Sequence, residues 1–433
     1  MSDNVNSYAR FLNSLSKGRQ PSLIREMTKI MSTAPPEMIS MAGGMPNPKL
    51  FPFKKMTVQL KDDTTSISLS GTKMEQALQY LPTGGLPSLV SQLKTLQEEK
   101  HSLSPDVWLK NDIIVTSGSQ DGLCKCLEAL LEPGSSVIME EFVYAGTLSI
   151  IEPYKPNYHV VTADTHGMRP DSLKQILSQW SPGSEDTNAP KFLYINPTGA
   201  NPTGTVLSSE RRQEIYKICS QYNLLILEDD PYFYLQYQDQ DLRSPSFMSM
   251  DTEGRVVRFD SFSKILSSGI RLGFVTGPKP IIERINLHMQ ASVLHASSLS
   301  QVLVSDLMSQ WGSTGFNNHI KEVEDFYKNR RNKLHEAADK HLIGLCEFSV
   351  PLGGMFLWIK VPGLGSTWDM IMQRGLQQNI MLMPGRAFQP DQTAPCQFLR
   401  AAFSIAAEKD FDTAMERLAR LIRNEISLQE HQS

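Results

Sequence analysis

Between Asp112 and Thr276, short apolar runs recur at intervals that leave room for about one helix between each pair. Ile113-Ile-Val-Thr, Ser136 to Met139, His159 to Thr162 and Lys191-Phe-Leu-Tyr-Ile read as strands. So do Leu224-Leu-Ile-Leu-Glu-Asp229, Arg255 to Phe259 and Gly273 to Thr276. Helical spacing occupies Gly122 to Leu131, which Pro133-Gly134 stops, the stretches opening at Tyr144 and Pro170, and Ser209 to Tyr222. Strands joined by crossover-length helices predict an α/β fold, a mainly parallel sheet covered on both faces. The polar residues cluster where these strands end, as a ligand crevice at one edge of such a sheet requires. Long helices are expected from Lys279 to about His341, one of them around Glu322 to Asp339. Short strands then alternate with helices from Gly344 to Ser433, which predicts a smaller α+β lobe. A chain of 433 residues is long for one core. The expected division is an N-terminal arm with part of the small domain (1–45), a large domain (46–325) and a small C-terminal α+β domain (326–433).

Charge and cysteine usage exclude some functions. The 42 basic and 46 acidic residues leave a net charge of −4, which gives no footing for nucleic acid or an anionic membrane surface. No apolar run approaches the ~20 residues of a membrane span. Five scattered cysteines fit free thiols, and Cys124-Lys-Cys126 has the wrong spacing for a zinc knuckle, so no metal is expected. Met1 to Lys29 carries Arg10, Lys17, Arg19 and Arg25, like a weak mitochondrial presequence, while Asp3 argues against one. Cytoplasm and mitochondrial matrix both stay open.

The stretch Phe259-Asp-Ser-Phe-Ser-Lys264-Ile-Leu-Ser-Ser-Gly-Ile-Arg271 holds a lysine with no charged neighbour closer than Asp260. Desolvation disfavours an ammonium ion and suits an amine that must attack a carbonyl. Ser261, Ser263 and Arg271 would suit a phosphate dianion. On these residues alone, a strand-end lysine among turn serines is an equal reading. Ser119 and Gln120 sit where a helix begins, and free backbone N–H groups there favour an anion, although a plain serine cap explains them as well.

Taken in order, Asn196-Pro-Thr-Gly-Ala-Asn201-Pro-Thr-Gly204, Asp229-Asp-Pro-Tyr232, Ser261-Phe-Ser-Lys264 and Arg271 resemble the class I/II aminotransferases. Tyr8-Ala-Arg-Phe, Ser40-Met-Ala-Gly-Gly-Met-Pro-Asn-Pro, Ala77-Leu-Gln-Tyr80, Thr116-Ser-Gly-Ser-Gln and Gly354-Met-Phe-Leu-Trp-Ile-Lys are similar to its kynurenine/α-aminoadipate branch. The resemblance runs from about Tyr8 to Ile426 and implies the fold-type I architecture with a seven-stranded sheet, and pyridoxal 5′-phosphate as cofactor. It implies that Lys264 bonds the cofactor aldehyde and shuttles the substrate proton, and that Asp229 keeps the pyridine nitrogen protonated. Asn201 and Tyr232 are expected on the ring's phenolic oxygen and Tyr144 on its face. Ser119, Gln120, Ser261, Ser263 and Arg271 are expected on its phosphate.

The resemblance also assigns Arg400, in Phe398-Leu-Arg-Ala-Ala-Phe at a strand end, to the substrate carboxylate. Arg25, Gly44, Met45 and Tyr80 are implied as further substrate contacts, with Tyr80 reaching the neighbouring site of a homodimer. The implied reaction is a ping-pong transamination between an L-amino acid, such as L-kynurenine or L-2-aminoadipate, and 2-oxoglutarate. A cysteine-conjugate β-lyase is the alternative on the same constellation. A regulatory protein with an aminotransferase-like domain is disfavoured, since only about forty residues precede Gly43-Gly44 and they are not basic enough for a DNA-reading module. Phe142-Val143 departs from the Pro-Ala usual before the stacking tyrosine, which bears on the pocket wall.

Overall fold

The computed structural model describes residues 8–430 apart from 25–26, 28–29, 31–34, 36, 40, 42–43, 185, 187 and 240–241. Between 111 and 278 the described residues include β1 (Asn111–Thr116), β2 (Ser136–Glu140), β3 (Asn157–Val161), β4 (Phe192–Ile195), β5 (Leu225–Asp229), β6 (Val256–Ser261) and β7 (Gly273–Pro278), besides a short antiparallel pair at Ala163–Asp164 and Gly167–Met168. Four more follow: β8 (Glu347–Phe348), β9 (Phe356–Lys360), β10 (Met383–Pro384) and β11 (Phe398–Ala402). The chain forms two compact units, one of residues 1–133, 225–231 and 246–319, the other of 134–224, 232–245 and 320–433.

In the first unit the strand order is β1-β7-β6-β5. β5 and β6 are parallel, and β7 runs antiparallel to both β6 and β1. Every residue of β5, β6 and β7 is buried, as strands covered on both faces must be. The register brings three chain ends to one edge, because Gly273 pairs with Ser261 on one side and with Thr116 on the other. The helix Ser119–Leu130 starts three residues beyond Thr116 and is amphipathic, burying Leu123, Cys126, Leu127 and Leu130.

The second unit holds β4, β2 and β3, all parallel, with β2 in the middle. The same unit contains a separate antiparallel sheet in the order β8-β9-β11-β10. Its core joins Leu357, Ile359, Leu399 and Phe403 to Leu418 and Ile422 of the final helix Phe411–Glu430. The α/β class and the α+β character of the C-terminal part agree with the sequence.

Some expectations need correction. A hairpin that the sequence analysis does not include pairs Lys55–Gln59 with Ser66–Ser70. Strict alternation in Ser-Ile-Ser-Leu-Ser buries Ile67 and Leu69 and leaves the serines outside, a period-two signal masked by overall polarity. Arg400 lies in mid-strand, opposite Trp358 on β9 and Met383 on β10, rather than at a strand end. Cys126 is buried and Cys124 half-buried, as expected for two helix residues.

The Asn-Pro-Thr-Gly loop is seated by glycines. Gly199 has φ +56°, and a Cβ there would strike the backbone of Gly354. Gly199→Ala is therefore expected to cost more than about 2 kcal/mol, clash added to strain. Gly183→Ala, at φ +68° with open space around it, should lose only about 1 kcal/mol. Denaturant midpoints of the two variants check the difference.

Candidate active site

In the first unit, strand ends set the site. β5 delivers Asp229, which is 6% exposed and pairs with Phe259 of β6. β6 delivers Ser261, whose hydroxyl accepts from the Ser263 backbone N–H at 3.2 Å, and the chain then turns through a half-buried Lys264. The turn is held from behind, where the His319 imidazole donates to the Ile265 carbonyl at 2.6 Å.

The anion-binding geometry lies beside it. Gly118 (φ +84°) immediately precedes the helix Ser119–Leu130, and a Cβ on it would stand 2.7 Å from Nη2 of Arg271. Arg271 itself is in the left-handed region (φ 52°), with Nη2 donating to the Ser117 carbonyl at 3.2 Å. A Cβ on Gly273 would come within 2.6 Å of the Ser119 backbone nitrogen. Two glycines thus let a guanidinium and the helix start approach one spot, with Ser119 and Gln120 at the positive end of the dipole. Donors of this kind match a phosphate dianion, so the residues fit the group that the resemblance implied.

In the second unit a cation sits among rings. The Arg400 guanidinium carbon lies 4.3 Å from the centroid of Phe356 and 4.8 Å from that of Phe388. Nη1 donates to Oδ1 of Asn201 at 2.7 Å, and Nε is buried without a protein partner. Burial pushes the Arg400 pKa below its usual value, and the nearby phenols of Tyr232 and Tyr144 act in the opposite direction. Tyr232 meets Phe356 edge-on, with ring centroids 5.8 Å apart. Asn201 is anchored by its own backbone N–H, which donates to the Asn196 side chain at 2.7 Å. Arg400, Asn201, Tyr144 and Tyr232 are therefore brought together here. A fixed guanidinium with an unsatisfied N–H suits a carboxylate.

The sequence marked Phe142-Val143 in this platform but did not single out Trp358, Phe388 or Phe398. Phe142 packs against Trp358 and Phe398, each at 5.0 Å between centroids, and Trp358 stacks on Phe398 at 5.2 Å and 9°. Val143 donates its N–H to the Phe388 carbonyl at 2.9 Å, which ties the segment before Tyr144 to the ring beneath Arg400. The unusual Phe142-Val143 pair was the available signal.

Tyr80 is half exposed, edge-on to His295 at 6.0 Å, in the first unit. Gly44 and Met45 lie on an exposed stretch, with no heavy atom within 4 Å of a Cβ built at Gly44. Arg25 lies outside the described residues.

Comparison with known proteins agrees with this geometry. The family described as aminotransferase class I and II matches residues 48–418. The mitochondrial kynurenine/alpha-aminoadipate aminotransferase of Bos taurus is 45% identical over 428 residues, covering 97% of this chain and all of the relative. The solved aminotransferase Aro8 of Candida albicans superposes with a TM-score of 0.86 at 27% identity, covering 98% of this chain and 99% of its own. A kynurenine aminotransferase of Pyrococcus horikoshii, solved in complex with PMP, KYN as substrates and KYA as products, gives 0.75 at 29%, covering 96% and 98%. The chain belongs to the class I and II aminotransferase family. It is an aminotransferase, and its cofactor is pyridoxal phosphate.

Among the groups flanking the site, Glu140 titrates unusually. It ends β2, two residues before Phe142, and burial pushes its carboxyl up to about 7 against the pull of the Met168 N–H and of Arg211. Between its ordinary value near 4.5 and 7, the folded chain holds a proton that the unfolded chain releases. Stability from this residue is thus present at low pH and lost as pH rises to about 7. Glu140→Gln is expected to gain on the order of 3 kcal/mol relative to the parent at pH 8 and nothing at pH 4. Urea midpoints of both proteins across that range check it.

Proposed function

We propose that this aminotransferase moves an amino group between L-kynurenine or L-2-aminoadipate and 2-oxoglutarate. The observation that carries the reading is the Arg400 platform, a guanidinium oriented by Asn201 between two rings, with one buried N–H left over. Such a site takes an α-carboxylate, and its aromatic walls favour a donor with an aryl or long side chain. The names of the bovine and Pyrococcus relatives support kynurenine, and the bovine name supports aminoadipate.

Pyridoxal phosphate, when bound, supplies an aldehyde and an electron-withdrawing ring. Lys264 holds that aldehyde and moves the proton at the substrate Cα. Asp229 keeps the ring nitrogen cationic. Tyr232 and Asn201 would donate to the ring's phenolic oxygen, and Tyr144 would lie against the ring face. Ser119, Gln120, Ser261, Ser263 and Arg271 hold the phosphate, while Arg25, Gly44, Met45 and Tyr80 contact substrate. Tyr80, 51% exposed, is proposed to reach the site of a second copy in a homodimer. The functional division stays 1–45, 46–325 and 326–433. The mitochondrial matrix is favoured over the cytoplasm by the bovine and mouse names. Among the described residues no helix is long and apolar enough to cross a membrane.

Lys264→Ala is expected to keep pyridoxal phosphate bound, seen by absorbance, and to lose turnover by at least about 10⁴-fold. With the parent enzyme, a panel of amino donors at saturating 2-oxoglutarate should rank kynurenine and aminoadipate first. Pyruvate release from a cysteine conjugate at a greater rate would favour the lyase reading instead.

Arg400→Lys loses the planar fork and its ring contacts, so KM for both donor and 2-oxoglutarate should rise about 100-fold, a 2–5 kcal/mol class of loss. The change in kcat should be smaller, and steady-state kinetics separates the two.

A further inference from the structure

On β5 and β6, Glu228, Arg258 and Asp260, with Asp230 one residue past the end of β5, alternate with Asp229, Phe259 and Ser261, so they occupy the opposite face of the sheet from Asp229. There the Arg258 side chain is fully buried among three carboxylates. Nη1 reaches Asp230 at 3.0 Å and Glu228 at 3.2 Å, while Nε and Nη2 fork onto Asp260 at 3.1 and 3.0 Å. Glu228 also accepts the backbone N–H groups of Phe247 and Met248 at 2.7 and 3.2 Å. Gln97 donates weakly to Asp260 at 3.4 Å and accepts from Thr276 at 3.5 Å. Oδ1 of Asp230 is buried without a partner. One cation against three carboxylates leaves an excess of two negative charges when all are ionised.

We infer that Glu228, Asp230, Arg258 and Asp260 are positioning residues for Asp229: they clamp β5 to β6 on either side of it, and their surplus negative charge favours a cation opposite its carboxylate. The inference rests on the reading that Asp229 serves the cofactor's ring nitrogen. A stability role alone would need no excess charge, because a matched pair clamps two strands equally well and costs less to bury. The surplus is largest above about pH 6, the value to which burial lifts Asp260 in spite of the Arg258 fork. Burial alone would lower Arg258, yet the three carboxylates together hold it well above its usual value, so it stays charged.

The test uses Asp260→Asn, which keeps shape and removes one charge, in the full-length enzyme at pH 8. The dissociation constant of pyridoxal phosphate for the apoenzyme should rise about tenfold, the scale on which groups behind a direct ligand act. The pH midpoint of the bound cofactor's absorbance should move to lower pH. Gln97→Leu, which perturbs the same cluster without changing its charge, should leave that midpoint in place. Should Asp260→Asn fail to fold, Glu228→Gln removes one of the same three charges and is read the same way. Wild-type affinity and midpoint in a folded variant with only a lowered melting temperature would overturn the inference. If Asp229→Asn also leaves both readouts unchanged, the reading of Asp229 fails and takes this one with it.

Discussion

A guanidinium that no water reaches, held by carboxylates from two adjacent strands, is the constraint on which the first unit depends. Burying Arg258 costs several kcal/mol, and losing one partner from such a cluster is typically worse than never having built it. The contacts therefore permit only one register between β5 and β6, since a slip of a single residue would turn Asp260 and Arg258 toward the other face. That same register sets Asp229 and Ser261 on the face away from the ions. The register held by those charges thus fixes the face of the sheet on which Asp229 sits.

The glycines at the neighbouring strand ends act by absence. Gly118 and Gly273 let Arg271 and the start of the helix Ser119–Leu130 come closer than any side chain would allow. The helix contributes the positive end of its dipole and Arg271 contributes a full charge, two sources that reinforce each other in one small volume. In the second unit the same economy is achieved with rings. Phe356 and Phe388 take the Arg400 stem and plane out of water, and Asn201 fixes its rotation. Phe142, Trp358 and Phe398 back that platform as one aromatic cluster.

Much of this was legible in the chain. Apolar runs marked β4 and the first part of β5, where Phe192–Ile195 and Leu225 to Leu227 are buried throughout. The Asn-Pro-Thr-Gly, Ser-x-Ser-Lys and Arg271 motifs pointed to a phosphate and an amine through their resemblance to the class I/II aminotransferases. The hairpin at Lys55–Gln59 and Ser66–Ser70 was lost because serine supplies no propensity signal even when alternation is perfect.

What the sequence determined by itself was the order of the main-sheet strands and the residue types that end them; the reaction came from resemblance to a family. These follow from local backbone preference and from chemistry that each residue carries wherever it sits. Tertiary structure alone decided that Arg258 faces three carboxylates, that Arg400 lies between Phe356 and Phe388, and that Phe142 reaches Trp358, more than two hundred positions along the chain. Burial and electrostatic contact depend on distance in space, and no spacing along a chain encodes that until the strands have paired.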